Sequence, residues 1–173
     1  MRIFLIGYMG SGKSTLGKRL AKALEIPFVD IDAEIEQTQG KSITAIFQDE
    51  GEEHFRRLEE KFLMSLKNFT AKAVYATGGG MPCFYDNLSL LNSLGATVYL
   101  KRPTSELLHR LMNSKKERPL TVGKTKEELY EFIEMHLAER ELFYEKAKIT
   151  VPRSKQNVPS LLELIQQFEN NQA

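Results

Sequence analysis

The stretch IFLIGYMGSGKST, from Ile3 to Thr15, decides the fold of this 173-residue chain. Its first four residues are apolar and predict a buried strand over Arg2–Ile6. A glycine-rich segment follows, and Lys13–Leu24 then carries apolar residues at helical spacing. A strand that passes through such a turn directly into a helix is typical of a parallel α/β sheet.

The glycine-rich segment itself predicts a phosphate-binding loop. Residues 7–14 fit the pattern G-x-x-x-x-G-K-[ST], known as the P-loop, between a strand and a helix. Glycines allow backbone N–H groups to turn towards phosphate oxygens, and the following helix adds the positive end of its dipole. Lys13 is expected to reach the β- and γ-phosphates, and Ser14 to ligate Mg²⁺. The expected nucleotide-binding set in this loop is Gly10, Ser11, Gly12, Lys13, Ser14 and Thr15.

The P-loop alone leaves the fate of the nucleotide open. Phosphoryl transfer to a second molecule, hydrolysis that drives work and a timed switch all begin with this motif.

Overall composition excludes several classes of protein. A net charge of +1 argues against a general nucleic-acid binder. The single cysteine, Cys83, excludes an internal disulfide and a cysteine-based zinc cluster. The histidines, His54, His109 and His136, show no metal-ligand spacing and are expected on the surface. With no signal-peptide pattern and no apolar run of membrane length, we expect a cytoplasmic protein that binds neither membrane nor nucleic acid. We expect a monomer, because no long apolar heptad or exposed strand indicates an interface.

Strand and helix patterns alternate along the rest of the chain. Further strands are predicted at Pro27–Ile31, Ala73–Thr77, Thr97–Lys101 and Lys148–Val151. Helices are predicted at residues 33–39, 42–50, 52–68, 88–94, 104–112, 127–144 and 159–168. The alternation predicts one domain over residues 1–173, with a parallel sheet covered on both faces and ligands at the carboxyl ends of its strands.

Two aspartates lie at the end of the second predicted strand. Alternate residues of a strand share a face, so Asp30 and Asp32 are expected to point the same way. Two neighbouring carboxylates need a cation or hydrogen-bond donors. One can support Mg²⁺ while the other accepts hydrogen bonds from a substrate hydroxyl; the alternative is a helix N-cap at Asp32 beside a solvated Asp30.

Two helices carry candidate arginines. Neighbouring helical residues point about 100° apart, so only one of Arg56 and Arg57 is expected to face a cleft. Arginine binds carboxylates in a bidentate way, and Glu59, three residues after Arg56, is placed to hold it. Arg140 lies on a later helix. The alternative for both sites is a set of ion pairs on the surface. For Arg140, the partner would be Glu139, Glu141 or a residue one turn away.

Two loops also carry candidate functional residues. Gly78, Gly79 and Gly80 follow the third predicted strand; they indicate close approach of backbone to a ligand, with a flexible turn as the alternative. Residues 113–126 are polar and basic and include Arg118. They are predicted to be a mobile loop that closes over a nucleotide and brings an arginine to the phosphates, or else a solvated run of charge.

Taken together, these motifs resemble those of the shikimate kinase family over nearly the whole chain. The P-loop is common to many families, whereas D-x-D, F-R-x-x-E and G-G-G in this order are far more specific. The stretches concerned are residues 7–14, Asp30-Ile31-Asp32, GEEHFRRLE at 51–59, Gly78-Gly79-Gly80, Arg118-Pro119-Leu120 and Arg140-Glu141-Leu142-Phe143-Tyr144.

The resemblance implies a fold and an activity. The fold is a three-layer α/β P-loop kinase fold: a five-stranded parallel sheet, helices on both faces, and a mobile lid. The P-loop spans residues 7–15, a shikimate-binding region about residues 31–60, and the lid about residues 112–126. The implied reaction is transfer of the γ-phosphoryl group of ATP to the 3-hydroxyl of shikimate, in aromatic amino-acid biosynthesis, with one Mg²⁺ per subunit.

The resemblance also implies roles for the acceptor side of the site. Asp32 binds ring hydroxyls of shikimate and orients the attacking one. Arg56 and Arg140 bind the carboxylate, and Glu59 holds Arg56. The glycines at 78–80 contact the substrate, with the backbone N–H of Gly79 as a donor.

On the nucleotide side, the implied roles extend beyond the P-loop. Lys13 and Arg118 contact the ATP phosphates. Ser14 ligates Mg²⁺ directly, and Asp30 holds it through water. Arg110 and Arg153 flank the adenine in the implied arrangement.

Two departures and two alternatives accompany the resemblance. Tyr8 and Met9 fill loop positions that are often smaller in the family, and we expect them to narrow the approach to the P-loop. Another small-molecule kinase, such as a gluconate-type kinase, would share the P-loop and lid. A nucleotide-dependent switch would need the N-K-x-D motif, which recognises guanine and is absent from the sequence.

Overall fold

A sheet of five parallel strands forms the centre of the molecule. The computed structural model describes residues 1–114 and 123–171. The strands are β1 (Ile3–Ile6), β2 (Phe28–Asp30), β3 (Val74–Ala76), β4 (Ala96–Leu100) and β5 (Ile149–Val151). Their order across the sheet is β2-β3-β1-β4-β5, and every neighbouring pair is parallel. The predicted five-stranded parallel sheet is therefore confirmed.

Helices connect the strands and lie on both faces of the sheet. They are α1 (Lys13–Leu24), α2 (Ile31–Gln39), α3 (Ile43–Asp49), α4 (Gly51–Ser65), α5 (Asn87–Leu94), α6 (Thr104–Met112), α7 (Lys126–Tyr144) and α8 (Val158–Asn170). Short 3₁₀ turns occupy Leu66–Asn68, Met81–Cys83 and Arg153–Lys155. The predicted helices agree with these bounds to within a few residues.

Alternation along β1 separates two hydrophobic cores. Ile3 and Leu5 pack on one face with buried residues of α1 and α8. Phe4 and Ile6 pack on the other face with residues of α2 to α7. All four side chains are at most 2% exposed, as expected for a central parallel strand covered on both sides. Helices thus cover both faces, as predicted.

The strand order places a crevice at the carboxyl end of β1. This strand lies between β3 and β4. The connection after β1 passes β3 to reach β2, whereas the connection after β3 passes β1 to reach β4, so the two connections run in opposite directions. Ligands of open α/β sheets bind where the connections diverge in this way. The P-loop follows β1, and the three glycines follow β3, at the same edge.

Helix α7 begins at a capping box. The hydroxyl of Thr125 accepts a hydrogen bond from the backbone N–H of Glu128 at 3.2 Å, and the Glu128 carboxylate accepts one from the backbone N–H of Thr125 at 2.8 Å. Two N–H groups at the helix start thus have side-chain hydrogen-bond partners from the same four-residue segment. The predicted lid at 112–126 lies partly outside the described residues and stays a prediction.

The described helices were also compared with the requirements of a membrane span. Within residues 1–114 and 123–171, no helix has both the length and the apolar character needed to cross a bilayer. The cytoplasmic location stays a prediction.

Gly95 joins α5 to β4 at a position that excludes any side chain. A Cβ atom at Gly95 would overlap the carbonyl oxygen of Arg2, which accepts the backbone N–H of Ala96 at 2.9 Å. Because the obstacle is backbone, Gly95→Ala is expected to lower the free energy of unfolding by about 1–3 kcal/mol, as overpacking does. Urea denaturation followed by circular dichroism measures this.

Ser89→Ala on the exposed side of α5 is the matched control. It is expected to change the free energy of unfolding by less than about 0.5 kcal/mol. Equal stability of Gly95→Ala and wild type would contradict the proposed overlap.

Candidate functional site

The P-loop has the backbone conformation that its glycines permit. Gly7, Gly10 and Gly12 have φ angles of 139°, 79° and 98°, which side-chain-bearing residues rarely adopt. Gly12 is the N-cap of α1, and no side chain caps this helix start. Its first N–H groups therefore remain available to an anion, together with the positive end of the helix dipole.

Lys13 lies against the inside of this loop. Its ammonium donates to the carbonyl oxygens of Gly7 at 2.7 Å and Tyr8 at 3.0 Å. The side chain is buried, and it lines the cavity described below. The loop thus holds a positive charge next to its own backbone N–H groups, which suits a polyphosphate.

Ser14 and Asp30 form a pair of oxygen ligands beside the loop. The Ser14 hydroxyl donates to the Asp30 carboxylate at 2.6 Å, which joins the start of α1 to the end of β2. Hydroxyl and carboxylate oxygens are the hard ligands that Mg²⁺ prefers, and Mg²⁺ commonly uses one or two of them together with substrate phosphates. The pair therefore fits this ion. The described residues hold no group of three or more His, Cys, Asp or Glu side chains suited to a metal.

The predicted strand geometry of the two aspartates is wrong. Asp30 is the last residue of β2, whereas Asp32 lies in the first turn of α2, which begins at Ile31. Strand alternation therefore does not align them. Both still line one cavity, because the chain turns into the helix at the sheet edge.

A cavity of about 480 Å³ brings most of the predicted nucleotide site together. It lies at the carboxyl ends of the central strands, where the strand order predicts a ligand. Its walls are formed by Met9, Gly10, Gly12, Lys13, Ser14, Thr15, Asp30, Asp32, Thr77, Gly79, His109, Arg110, Leu111, Asn113 and Ser114.

Beside this cavity, Arg56 is buried and held by two carboxylates. It donates to Glu59 at 2.8 Å and to Glu52 at 2.7 and 3.1 Å. Its side chain is 5% exposed, whereas that of Arg57 is 58% exposed. The prediction that Glu59 holds Arg56 is confirmed, and only Arg56 of the two arginines is buried.

Aromatic rings complete the surroundings of Arg56. Its guanidinium carbon lies 4.2 Å from the ring centre of Phe84, 5.2 Å from that of Phe55 and 6.0 Å from that of Phe47. These distances allow cation–π attraction. The rings and carboxylates together restrict the guanidinium to one position. Phe84 was not predicted; an aromatic residue after a glycine loop is too common to be a signal.

Two of the three glycines are required by side chains of the protein itself. A Cβ at Gly78 would lie 2.7 Å from Glu59 Oε1 and 2.8 Å from Asp32 Oδ1. A Cβ at Gly80 would lie 2.6 Å from the Arg56 guanidinium. The inference that close approach of a ligand alone explains all three glycines is therefore wrong: Gly78 and Gly80 make room for buried charged groups.

Gly79 contacts other parts of the site. A Cβ there would lie 3.1 Å from the backbone nitrogen of Met9 and 3.5 Å from Arg140 Nη1. The Gly79 carbonyl accepts a hydrogen bond from the Tyr144 hydroxyl. This residue thus lies where the P-loop, the glycine segment and α7 meet.

Arg140 is buried, and no carboxylate within residues 1–114 and 123–171 forms an ion pair with it. It is 7% exposed, and no Asp or Glu of the described chain lies within 4 Å of its guanidinium nitrogens. The surface ion pair with Glu139 or Glu141 is therefore wrong for this residue. A buried guanidinium is costly unless an anion or several acceptors offset its charge. Arg140 is consequently suited to an anionic ligand.

Burial also changes the acid strength of Glu59. Its carboxylate is fully buried, and this raises its pKa to about 7, although the positive charge of Arg56 acts in the opposite direction. The nearby negative charge of Asp32 contributes to this increase in the pKa. Glu59 therefore binds Arg56 and yet responds to pH near neutrality.

Arg102, after β4, is a site residue that sequence reasoning missed. It is 9% exposed and donates through Nε to the carbonyl oxygen of Ser11 at 2.6 Å. Its Nη1 donates to Glu106 at 2.7 Å, and Glu106 also accepts from Arg153 at 2.6 Å. The sequence did contain a signal for this residue, because Arg102 follows a buried strand at the same sheet edge as the other motifs.

The two arginines predicted to flank the adenine differ in their distance from the P-loop, and their role towards the adenine stays a prediction. Arg110 is exposed on α6, and its Nη2 would lie 3.3 Å from a Cβ at Gly12, so it covers the P-loop. Arg153 is exposed and is linked to the P-loop through Glu106 and Arg102. Arg118 lies outside the described residues, and its role stays a prediction.

Comparison with known proteins agrees with this arrangement. A family model described as shikimate kinase matches residues 9–169. A shikimate kinase of Azobacteroides pseudotrichonymphae is 46% identical over 162 residues, which are 94% of this chain and 95% of that protein.

Two solved structures are similar over almost the whole chain. The shikimate kinase of Bacteroides thetaiotaomicron has 38% identity and a TM-score of 0.86, covering 98% of this chain and 97% of that chain. The shikimate kinase of Acinetobacter baumannii, solved in complex with shikimate, has 34% identity and a TM-score of 0.80, covering 98% of this chain and 93% of that chain. By sequence and by fold, this chain belongs to the shikimate kinase family.

Proposed function

We propose that this protein transfers the γ-phosphoryl group of ATP to the 3-hydroxyl of shikimate, giving ADP and shikimate 3-phosphate for aromatic amino-acid biosynthesis. The observation that supports this best is the position of Arg56 and Arg140, buried beside consecutive glycines at the edge of a P-loop cavity. Such a pair suits a carboxylate close to bound ATP. Family membership favours shikimate over the gluconate-type alternative, and a switch protein has no use for this acceptor site.

On the donor side, the chain surrounds the phosphates with positive charge. Backbone N–H groups of the P-loop and the start of α1 bind phosphate oxygens, and Lys13 exchanges its carbonyl partners for the β- and γ-phosphates. Arg110 and Arg118 add positive charge from outside the loop. Arg102 holds the loop through the Ser11 carbonyl.

Ser14 and Asp30 would hold Mg²⁺. Their hydrogen bond of 2.6 Å keeps a hydroxyl and a carboxylate together at the cavity wall. When bound, Mg²⁺ offsets negative charge on the phosphates during transfer. One Mg²⁺ per subunit, a monomeric enzyme and a cytoplasmic location belong to this proposal.

On the acceptor side, the arginines set the orientation of shikimate. Arg56 has a fixed position because Glu59 and Glu52 bind it, so it can offer preorganised donors to the carboxylate. Arg140 has no carboxylate of the described chain beside it, and the acid would supply the missing negative charge. Gly79 offers its backbone N–H at the same place.

Asp32 is placed to act on the attacking hydroxyl. It lies between the acceptor side, next to Gly78, and the nucleotide cavity. In the proposed step, the 3-hydroxyl oxygen forms a bond to the γ-phosphorus while the bond to the β-phosphate oxygen breaks. The hydroxyl proton passes to the Asp32 carboxylate, and ADP leaves with the electron pair of the broken bond.

The first prediction concerns the reaction and Asp32. ADP release from Mg-ATP is expected to depend on shikimate, and Asp32→Asn is expected to lower kcat by about 10²–10⁴-fold because the carboxylate that orients the hydroxyl and takes its proton is lost. A coupled ADP assay measures both. Asp49→Asn, an exposed aspartate paired with Lys41, is the control and should keep wild-type rates. ADP release that ignores shikimate would refute the proposed function.

The second prediction concerns Arg140. Arg140→Gln is expected to raise the KM for shikimate about 10–100-fold, the range of a lost charge-assisted hydrogen bond, with the KM for ATP nearly unchanged. Arg57→Gln on the exposed side of α4 is the control. An equal rise in both KM values would contradict a role confined to the acceptor.

The third prediction concerns pH. Because the folded-state pKa of Glu59 is raised to about 7, the folded protein binds this proton more tightly than the unfolded chain, and stability is lost as pH rises through that value. Relative to Glu59→Gln, the wild type is expected to lose about 1–3 kcal/mol of unfolding free energy between pH 5 and pH 8. Urea denaturation at each pH tests this. Parallel pH profiles of the two proteins would contradict it.

A further inference from the structure

Tyr8 of the P-loop has its side chain on α7 rather than at the mouth of the cavity. The expectation that it narrows the approach to the loop is wrong, because the side chain is 1% exposed. Its hydroxyl forms a hydrogen bond of 3.0 Å with Nδ1 of His136. The two rings meet edge to face, with centres 5.6 Å apart and planes at 84°.

His136 differs from its sequence prediction as well. It is half-buried rather than on the surface, and the ring of Phe132 lies 4.9 Å from its own. Burial, followed by the positive charge of Arg140, lowers the pKa of His136 to about 4. The imidazole is therefore neutral at pH 7. In this form it can make the hydrogen bond with Tyr8 without electrostatic repulsion from Arg140.

One face of α7 connects these contacts to the acceptor site. Phe132, His136, Arg140 and Tyr144 are spaced four residues apart, so they lie along the same side of the helix. The Arg140 guanidinium carbon lies 5.8 Å from the centre of the Tyr8 ring. One turn further, the Tyr144 hydroxyl bonds the carbonyl of Gly79.

Tyr8 therefore contacts both sides of the proposed reaction. Its carbonyl accepts from Lys13, its ring faces Arg140, and its hydroxyl bonds His136 one helical turn before Arg140. An arginine side chain loses rotamer entropy when it is fixed in one position. Contacts that fix Arg140 in advance would lower this cost at the moment of acceptor binding.

We propose that Tyr8 and His136 are positioning residues, whose hydrogen bond holds α7 against the P-loop and so places Arg140 for the carboxylate of the acceptor. The inference rests on the proposed function, since it takes shikimate as the acceptor. It assigns the effect to acceptor binding and not to the phosphoryl-transfer step.

The test uses variants that remove or keep this one bond. Tyr8→Phe deletes the hydroxyl and keeps the ring that faces Arg140. His136→Leu deletes the partner, and His136→Gln keeps a polar group able to bond the phenol. Tyr130→Phe, which deletes an exposed hydroxyl elsewhere on α7, is the matched control.

Steady-state kinetics with varied shikimate and varied ATP are measured for each protein, after circular dichroism has shown that it is folded. Tyr8→Phe and His136→Leu are each expected to raise the KM for shikimate about 3–10-fold, the worth of one buried hydrogen bond. The KM for ATP and kcat should stay within about twofold, a split that general loosening of the fold would not produce.

Two further results are expected. The double variant Tyr8→Phe/His136→Leu should be no worse than the more impaired single variant, because both remove the same bond. His136→Gln and Tyr130→Phe should stay close to wild type.

The outcomes separate this inference from the proposed function. A wild-type protein that does not phosphorylate shikimate overturns both. An active wild type with an unchanged KM for shikimate in Tyr8→Phe overturns the positioning role alone. The positioning role is also overturned if Tyr8→Phe lowers kcat, or raises the KM for ATP, as strongly as it raises the KM for shikimate. Tyr8 would then act through the P-loop. If His136→Leu does not fold, Tyr8→Phe, which keeps the ring, decides the question.

Discussion

The whole acceptor side depends on a backbone segment without side chains. Buried charges are tolerated only where opposite charges or hydrogen-bond donors lie within contact distance. At residues 78–80, missing Cβ atoms leave the space in which Asp32, Glu59, Arg56 and Arg140 approach the same turn of chain. A methyl group at the first or third glycine would overlap a carboxylate or a guanidinium. Charge density in this site is therefore a property of the backbone as much as of the charged residues.

The central strand unites this segment with the nucleotide loop. β1 is covered on both faces, and its carboxyl end leads into the P-loop between the ends of β3 and β4. Groups from three crossovers therefore meet without any long loop to hold them. This explains how Arg102, at the end of β4, reaches the Ser11 carbonyl across the sheet edge. A rigid scaffold places the donors and acceptors that phosphoryl transfer requires.

Local patterns predicted the parts of the site that depend on local geometry. The P-loop and the pair of Arg56 with Glu59 follow from spacing along one segment of chain, and the structure contains both. Asp32 was assigned to a strand because apolar residues precede it, whereas helix α2 begins one residue earlier. The contacts of Arg102, and the burial of Arg140 without a carboxylate beside it in the described residues, depend on segments distant in sequence. No short motif encodes such contacts.

The capping box of α7 fixes the start of this helix independently of the chain that precedes it. Thr125 and Glu128 satisfy the helix start from within its own first turn, so the register of α7 is set locally. Arg140 lies roughly 21 Å along the axis from Lys126 at 1.5 Å per residue. Insertions or deletions before Thr125 would leave the face of the helix that meets Gly79 unchanged. The position of Arg140 along α7 therefore does not depend on the length of the chain that precedes Thr125.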